Sequence, residues 1–230
     1  MEPILNIETS TGVCSVSVSD KDAILAARES RIDRSHASML TVFIGEAMAE
    51  AGIGYNELSG VAVSRGPGSY TGLRIGVSAA KGICYGADIP LIALDTLLIM
   101  ARGLLRNIAD NDGLLLCPMI DARRMEVYTA LYDTAGTRVK DITAEIIDNN
   151  SFKDYLDERK IIFFGDGSGK CRDTLKHPNA VFIEGIYPSA CYMAQLSFKA
   201  FAEKIFEDTA YFEPFYLKDF LATTPKNKMI

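Results

Sequence analysis

The chain has 230 residues, 48% of them hydrophobic, and a formal net charge of −6, so it holds either one large domain or two intimate subdomains around a full core. The acidic balance argues against autonomous nucleic-acid binding, which needs clustered Lys and Arg to displace counterions. No apolar run reaches the roughly 20 residues that span a bilayer, and Met1-Glu2-Pro3-Ile4 does not read as a signal peptide, so no membrane contact and a cytoplasmic location are expected.

The small basic groups (Arg28, Arg31 and Arg34; Arg123 and Arg124; Lys226 and Lys228) are scattered and read as solvated surface. The five cysteines, Cys14, Cys84, Cys117, Cys171 and Cys191, are odd in number and form no CxxC, which predicts buried free thiols in a reducing compartment.

In chain order, Ile4–Glu8, Val13–Ser19 and Ala23–Glu29 predict a three-stranded meander with turns at Thr9–Gly12 and Asp20–Asp22. Ser35 then reads as the N-cap of a helix that ends at Gly52, with Met39, Leu40, Phe43, Ile44, Ala47, Met48 and Ala51 at helical spacing. Val61–Ser64 and Leu91–Leu94 are short buried strands on either side of a glycine-rich helix from about Ser69 to Gly86. This βββαβαβ order is that of a ribonuclease-H-like half. Leu114–Ile120, the turn Asp121-Ala122-Arg123-Arg124 and Met125–Asp133 repeat the opening pattern of strand, acid, tight turn and strand, which predicts a degenerate duplication. Ile161–Phe164 gives another strand and Ser189–Phe206 another helix, and the tail Thr223–Lys228 is expected to fray. The expected fold is therefore α/β, with two ribonuclease-H-like (actin-like ATPase) subdomains. Residues 1–104, joined by the C-terminal segment 207–230, form the first, and 105–206 form the second, smaller one.

Between the second predicted strand–helix pair, Ser64-Arg65-Gly66-Pro67-Gly68-Ser69-Tyr70-Thr71-Gly72-Leu73-Arg74-Ile75-Gly76 is the most informative run. Three glycines and Pro67 between Gly66 and Gly72 describe a loop that bends tightly and approaches something closely. Gly66, Pro67, Gly68, Gly72 and Gly76 are accordingly assigned a structural role. Their spacing misses the dinucleotide pattern by one residue. Gly165-Asp166-Gly167-Ser168-Gly169-Lys170 fails as a phosphate loop, because Phe164 stands where glycine is required and Cys171 follows the lysine. Only His36 and His177 exist, far apart in sequence, and a metal site is not expected. Ser35 and Ser38 flank His36, but helix neighbours do not present a serine productively to a histidine. No catalytic and no cofactor-binding residue is assigned.

Ile4-Leu5-Asn6-Ile7-Glu8-Thr9-Ser10, the Gly66–Gly76 loop and helix, Asp121-Ala122-Arg123, Gly165-Asp166-Gly167 and Pro214-Phe215-Tyr216-Leu217 together closely resemble the TsaB (YeaZ) family, over nearly the whole chain. The resemblance implies the two-lobed architecture of the actin, Hsp70 and sugar-kinase superfamily, in which the opening hairpins grip nucleotide phosphates. Active members resemble Asp-x-Gly-Thr at the first turn; this chain has Glu8 and Ser10 there, and Asp121-Ala122-Arg123-Arg124 lacks glycines, so ATP hydrolysis is disfavoured. The catalytic sibling TsaD carries a His-x-x-x-His metal pair where this chain has Thr96 and Met100, neither of which replaces an imidazole. What is implied is a non-catalytic scaffold that docks onto a TsaD-like threonylcarbamoyltransferase, joined by a TsaE-like ATPase, for threonylcarbamoyladenosine modification of tRNA. Contact with tRNA would be indirect. The alternative is an independent small-molecule kinase or ATPase of the same superfamily.

The docking surface is sought on the two helices between Ser35 and Gly86, because neither has the broad charged outer face of a helix that covers one sheet. The first has only Glu46 and Glu50 after His36; in the second, Arg74 and Lys81 share a narrow polar stripe with Thr71, Ser78 and Tyr85. Gly72, Gly76, Ala79 and Ile83 lie opposite that stripe, with Leu73, Val77 and Cys84 as a further apolar flank. Burial on two sides, core and partner, makes Leu40, Phe43, Ala47, Leu73, Val77 and Cys84 the expected partner interface, which would form a homodimer when the chain is alone. The competing reading is that both helices merely pack on each other and on the sheet.

Overall fold

A computed structural model describes residues 1–21, 23–32, 36–106, 108 and 113–218. The proposed Ser35 cap, Asp22 of the Asp20–Asp22 turn, Arg34 and the tail Thr223–Lys228 lie outside the described residues. The first half runs β1 (Pro3–Glu8), β2 (Cys14–Asp20), β3 (Ala23–Ser30), α1 (His36–Ala51), β4 (Gly60–Gly66), α2 (Tyr70–Ala87), β5 (Leu91–Asp95) and α3 (Thr96–Leu105). The second runs β6 (Leu115–Asp121), β7 (Glu126–Tyr132), β8 (Arg138–Ile146), α4 (Lys153–Glu158), β9 (Ile161–Phe164), β10 (Ala180–Ile183) and α5 (Ala194–Ala202).

Two five-stranded sheets result, ordered β3-β2-β1-β4-β5 and β10-β9-β6-β7-β8. In each, the first strand of the half is central, antiparallel to its hairpin partner and parallel to the fourth strand. The two halves therefore share one topology, and the fold is a duplicated ribonuclease-H-like one, as the strand–turn–strand repeat predicts. The central strands β1 and β6 are buried on both faces up to their last residues, which is why they read as apolar runs rather than as alternations.

One face of the first sheet packs on α1 and α2: Leu5, Ile7, Val16, Val61 and Val63 meet Leu40, Phe43, Ala47, Val77 and Cys84. On its other face Ile4, Ala62 and Ile92 meet Met193 and Ala200 of the α5 region. Leu97, Met100 and Leu104 of α3 pack on the second sheet against Leu116, Ile120, Tyr132 and Phe164. α3 thus covers the second sheet while its Ile99 joins the cluster on the first, and α5 covers the first. An apolar stripe states that a helix is buried, not on which sheet.

Elsewhere the differences are local. The helix expected over Ser189–Phe206 is a 3₁₀ turn, Ala190–Tyr192, followed by the shorter α5. Strands β8 and β10 and helix α4 had no counterpart among the expected elements. Cys14, Cys84, Cys117 and Cys171 are buried free thiols, and Cys191 is half-buried. Among the described residues no helix is long and apolar enough to cross a membrane.

Candidate docking face and interlobe cleft

The β1–β2 turn and the N-terminus of α2 are built against each other. Ser69 caps α2, its Oγ accepting from the Gly72 N–H at 3.3 Å, while its own N–H donates to Ser10 O at 2.6 Å. The Thr9 hydroxyl donates to Gly72 O at 2.8 Å. A Cβ on Gly68 would overlap Ser10 O, one on Gly72 would overlap Thr9 O, and one on Gly76 would overlap the Thr9 hydroxyl. These glycines let the helix lie on the hairpin turn. Gly66, in the left-handed region at φ 113°, faces Phe215 O in the same way, and the Gly66–Pro67 peptide is cis.

Glu8, which ends β1, is fully buried. Its Oε1 accepts from the Ser10 N–H at 2.6 Å and the Ser10 hydroxyl at 2.5 Å. Burial pushes its carboxyl up to about 7, against the opposing pull of those hydrogen bonds and of Ser64. His36 is buried beside the turn, its Nε2 3.1 Å from Val13 O.

The second hairpin is braced likewise. Asp121 accepts from the Arg123 N–H at 2.9 Å and pairs with Lys170, whose Nζ also donates to Glu126 O at 2.7 Å. The Asp121 N–H donates to Asp166 at 3.1 Å, and burial raises the Asp166 carboxyl. The Gly165–Lys170 loop is thus a buttress: Ser168 Oγ closes on Gly165 O at 2.8 Å, and Lys170 is tied to the hairpin. Between the two hairpins lies a cleft of about 920 Å³.

The residues present do not fit the superfamily's nucleotide or the sibling's metal. At the first turn the Ser10 side chain folds back onto Glu8 and Ser10 O meets the helix amide, which fills the space that a glycine would leave to phosphates. Thr96 and Met100 are both fully buried, and no group of three His, Cys, Asp or Glu among the described residues is arranged to hold a metal ion.

The six expected interface residues require correction. Leu40, Phe43, Ala47, Leu73, Val77 and Cys84 are all buried within the chain, five of them in the core shared with the first sheet. An apolar flank goes first to the sheet of its own chain, because that contact forms with folding. What α1 and α2 present outward is different. Thr41, Gly45 and Ala49 form one exposed row of small residues at every fourth position of α1, and Ser78, Gly82 and Gly86 form another on α2. Gly45, Gly82 and Gly86 have nothing within 4 Å of where a Cβ would stand. Val42 is 46% exposed and Tyr85 87%. Glu46 and Glu50 both turn to Arg28 of β3, at 2.9 and 2.6 Å, away from these rows' small side chains. The signal available in the sequence was the helical glycines themselves: Gly72 and Gly76 have a reason inside the fold, whereas Gly45 and Gly82 do not.

Two ribonuclease-H-like lobes of one topology, with their opening hairpins facing a shared cleft, give the chain an actin-like ATPase fold. The family model described as "TsaD: tRNA N6-adenosine threonylcarbamoyltransferase" matches residues 28–219. The tRNA threonylcarbamoyladenosine biosynthesis protein TsaB of Escherichia coli K12 is 29% identical over 225 residues, covering 95% of this chain and 96% of that protein. TsaB of Bacillus subtilis 168 is 30% identical over 167 residues, 70% of each. YeaZ from Pseudomonas aeruginosa superposes with a TM-score of 0.82 at 25% identity, covering 94% of this chain and all (100%) of that one. The chain belongs to the TsaB (YeaZ) family, within the wider group that the TsaD model describes.

Proposed function

We propose that this chain takes part in threonylcarbamoyladenosine modification of tRNA in the cytoplasm, as a non-catalytic subunit that docks onto a TsaD-like threonylcarbamoyltransferase and holds it in a competent form. The observation that carries the docking role is the pair of small-residue rows on α1 and α2. A glycine inside a helix costs about 1 kcal/mol relative to alanine. At Gly45 and Gly82 no contact within the fold offsets that cost. A helix packed closely across the rows would, since rows at every fourth residue form the grooves of helix–helix packing. The transferase model matches most of this chain, so a partner of the same fold presents equivalent helices to such a face. The same rows serve a homodimer when the partner is absent. A TsaE-like ATPase joins the pair, and tRNA is met through the partner. The non-catalytic role is supported by Glu8 and Asp121, which bond to Ser10 and Lys170.

Replacing Gly82 with leucine tests this reading cleanly, because the new side chain enters open space. The expected variant melts no lower than wild type, binds the transferase at least about tenfold more weakly, a change of about 1.4 kcal/mol, and supports correspondingly less modified tRNA by mass spectrometry. Full affinity and full modification would remove α2 from the interface. ATP turnover by the isolated wild-type chain would instead favour the kinase reading.

A further inference from the structure

The segment after α5 is not used by the docking face, yet it touches both lobes. The Glu207 N–H donates to Leu91 O at 2.9 Å, placing the segment on the β5 edge of the first sheet. Asp208 then closes a tight turn, accepting from the Ala210 N–H at 2.8 Å. Lys81 of α2 donates to both Ala210 O and Phe212 O at 3.1 Å. The Phe215 N–H donates to Arg65 O at 2.7 Å, and the Tyr216 ring lies on Tyr70 with centroids 4.7 Å apart. Lys218 finally forms an ion pair with Glu126 of β7, in the other lobe. Phe215, Tyr216, Leu217 and Lys218 all line the interlobe cleft, which they share with Ser10 and Asp121 of the two hairpins.

The lobes are also tied at their base, and those ties differ in kind. There α3 packs on both: its Ile99 joins the cluster on the first sheet, and its Leu97, Met100 and Leu104 pack on the second. Asp95 is held by Arg65 at 2.7 Å and by Arg138 of β8 at 3.5 Å. Among the described residues the tie that Lys218 makes across the cleft is one ion pair, with Lys218 40% and Glu126 21% exposed. Pairs of that exposure contribute little and are screened by salt. A base that holds and a rim that releases at small cost are the two parts of a hinge.

We propose that Phe215–Lys218 is a latch. With Lys218 on Glu126 the two lobes are held together across the cleft; release of the pair lets them part about the α3 base and exposes the paired hairpin turns. The latch acts within this chain and does not depend on what docks on α1 and α2.

Hydrogen exchange on the full chain tests it, with Lys218→Ala, Glu126→Gln and the reversed pair Lys218→Glu/Glu126→Lys. Either single change should speed exchange of the amides at 10–12 and 121–123 by roughly two- to fivefold, the range of one exposed ion pair. Amides of Met100–Leu104 in α3 should be unchanged, which also reports that the fold is intact. The reversed pair should restore the wild-type rates. Unchanged cleft amides in both single variants, or equal acceleration at the cleft and the base, would overturn the latch. So would a reversed pair that exchanges as fast as the single variants.

Discussion

Glu8 shows what burial without a counter-charge does to one carboxyl. It ends the central strand β1, and its partners are the Ser10 hydroxyl, the Ser10 amide and Ser64, not a cation. Burial without a counter-charge raises its ionisation from 4.5 to about 7. The folded state thus binds this proton more tightly than the unfolded chain does. Its stability is fullest below about pH 4.5, falls as pH rises, and levels off above about 7. The drop attributable to this group is about 3 kcal/mol, to order of magnitude. Glu8→Gln keeps the shape and removes the charge. Urea midpoints at about pH 5 and about pH 8 should therefore converge in the variant, which should be the more stable protein at the higher pH. Parallel pH profiles for variant and wild type would show that Glu8 stays neutral or solvated across the range.

At the scale of elements, α2 separates two uses of glycine that look alike in the sequence. Gly76→Ala should gain up to about 1 kcal/mol of helix propensity, but its methyl would overlap the Thr9 hydroxyl that holds Gly72 O. Overpacking of that kind costs about 1–3 kcal/mol, so a net loss of stability is expected. Gly82→Ala meets nothing and should stabilise by up to about 1 kcal/mol. Thermal melting of the two variants should therefore shift in opposite directions; shifts of the same sign would refute the assignment of inner and outer faces. Val77, which the sequence placed on the partner side, is 4% exposed in the core. Its replacement by glutamate is expected to unfold the protein rather than to uncouple a partner. The existence of α2 was legible, because Ser69 and the apolar repeat announce it. Its outward face was not, since burial against a sheet and burial against a partner leave the same periodicity. The missed elements have equally physical causes. Strand β8 is an edge strand with neither face fully buried, so its charges and apolar residues blur the alternation. Strand β10 and helix α4 are too short, at 4 and 6 residues, to establish a period.

For the whole molecule, the exchange of helices between lobes decides how the chain folds. The first sheet is covered on one side by α1 and α2 and on the other by the Ala190–Ala200 region, which comes after the entire second sheet. The second sheet in turn depends on α3, which belongs to the first half of the chain. Cutting between residues 106 and 113 would leave each fragment with an open apolar sheet face. In the first fragment Ile4, Ala62 and Ile92, all nearly inaccessible in the intact protein, would meet water. Leaving one such side chain exposed forgoes about 1.5–3 kcal/mol, and several together exceed much of the 5–15 kcal/mol that holds a typical domain folded. Fragments 1–106 and 113–230 are therefore expected to aggregate or remain unfolded when expressed singly, and to give a soluble, cooperatively melting complex when co-expressed. Circular dichroism of each purified fragment with a thermal scan checks this directly. A 1–106 fragment that melts cooperatively alone would mean that α1 and α2 suffice for the first lobe, and that α5 is an addition to a domain already complete.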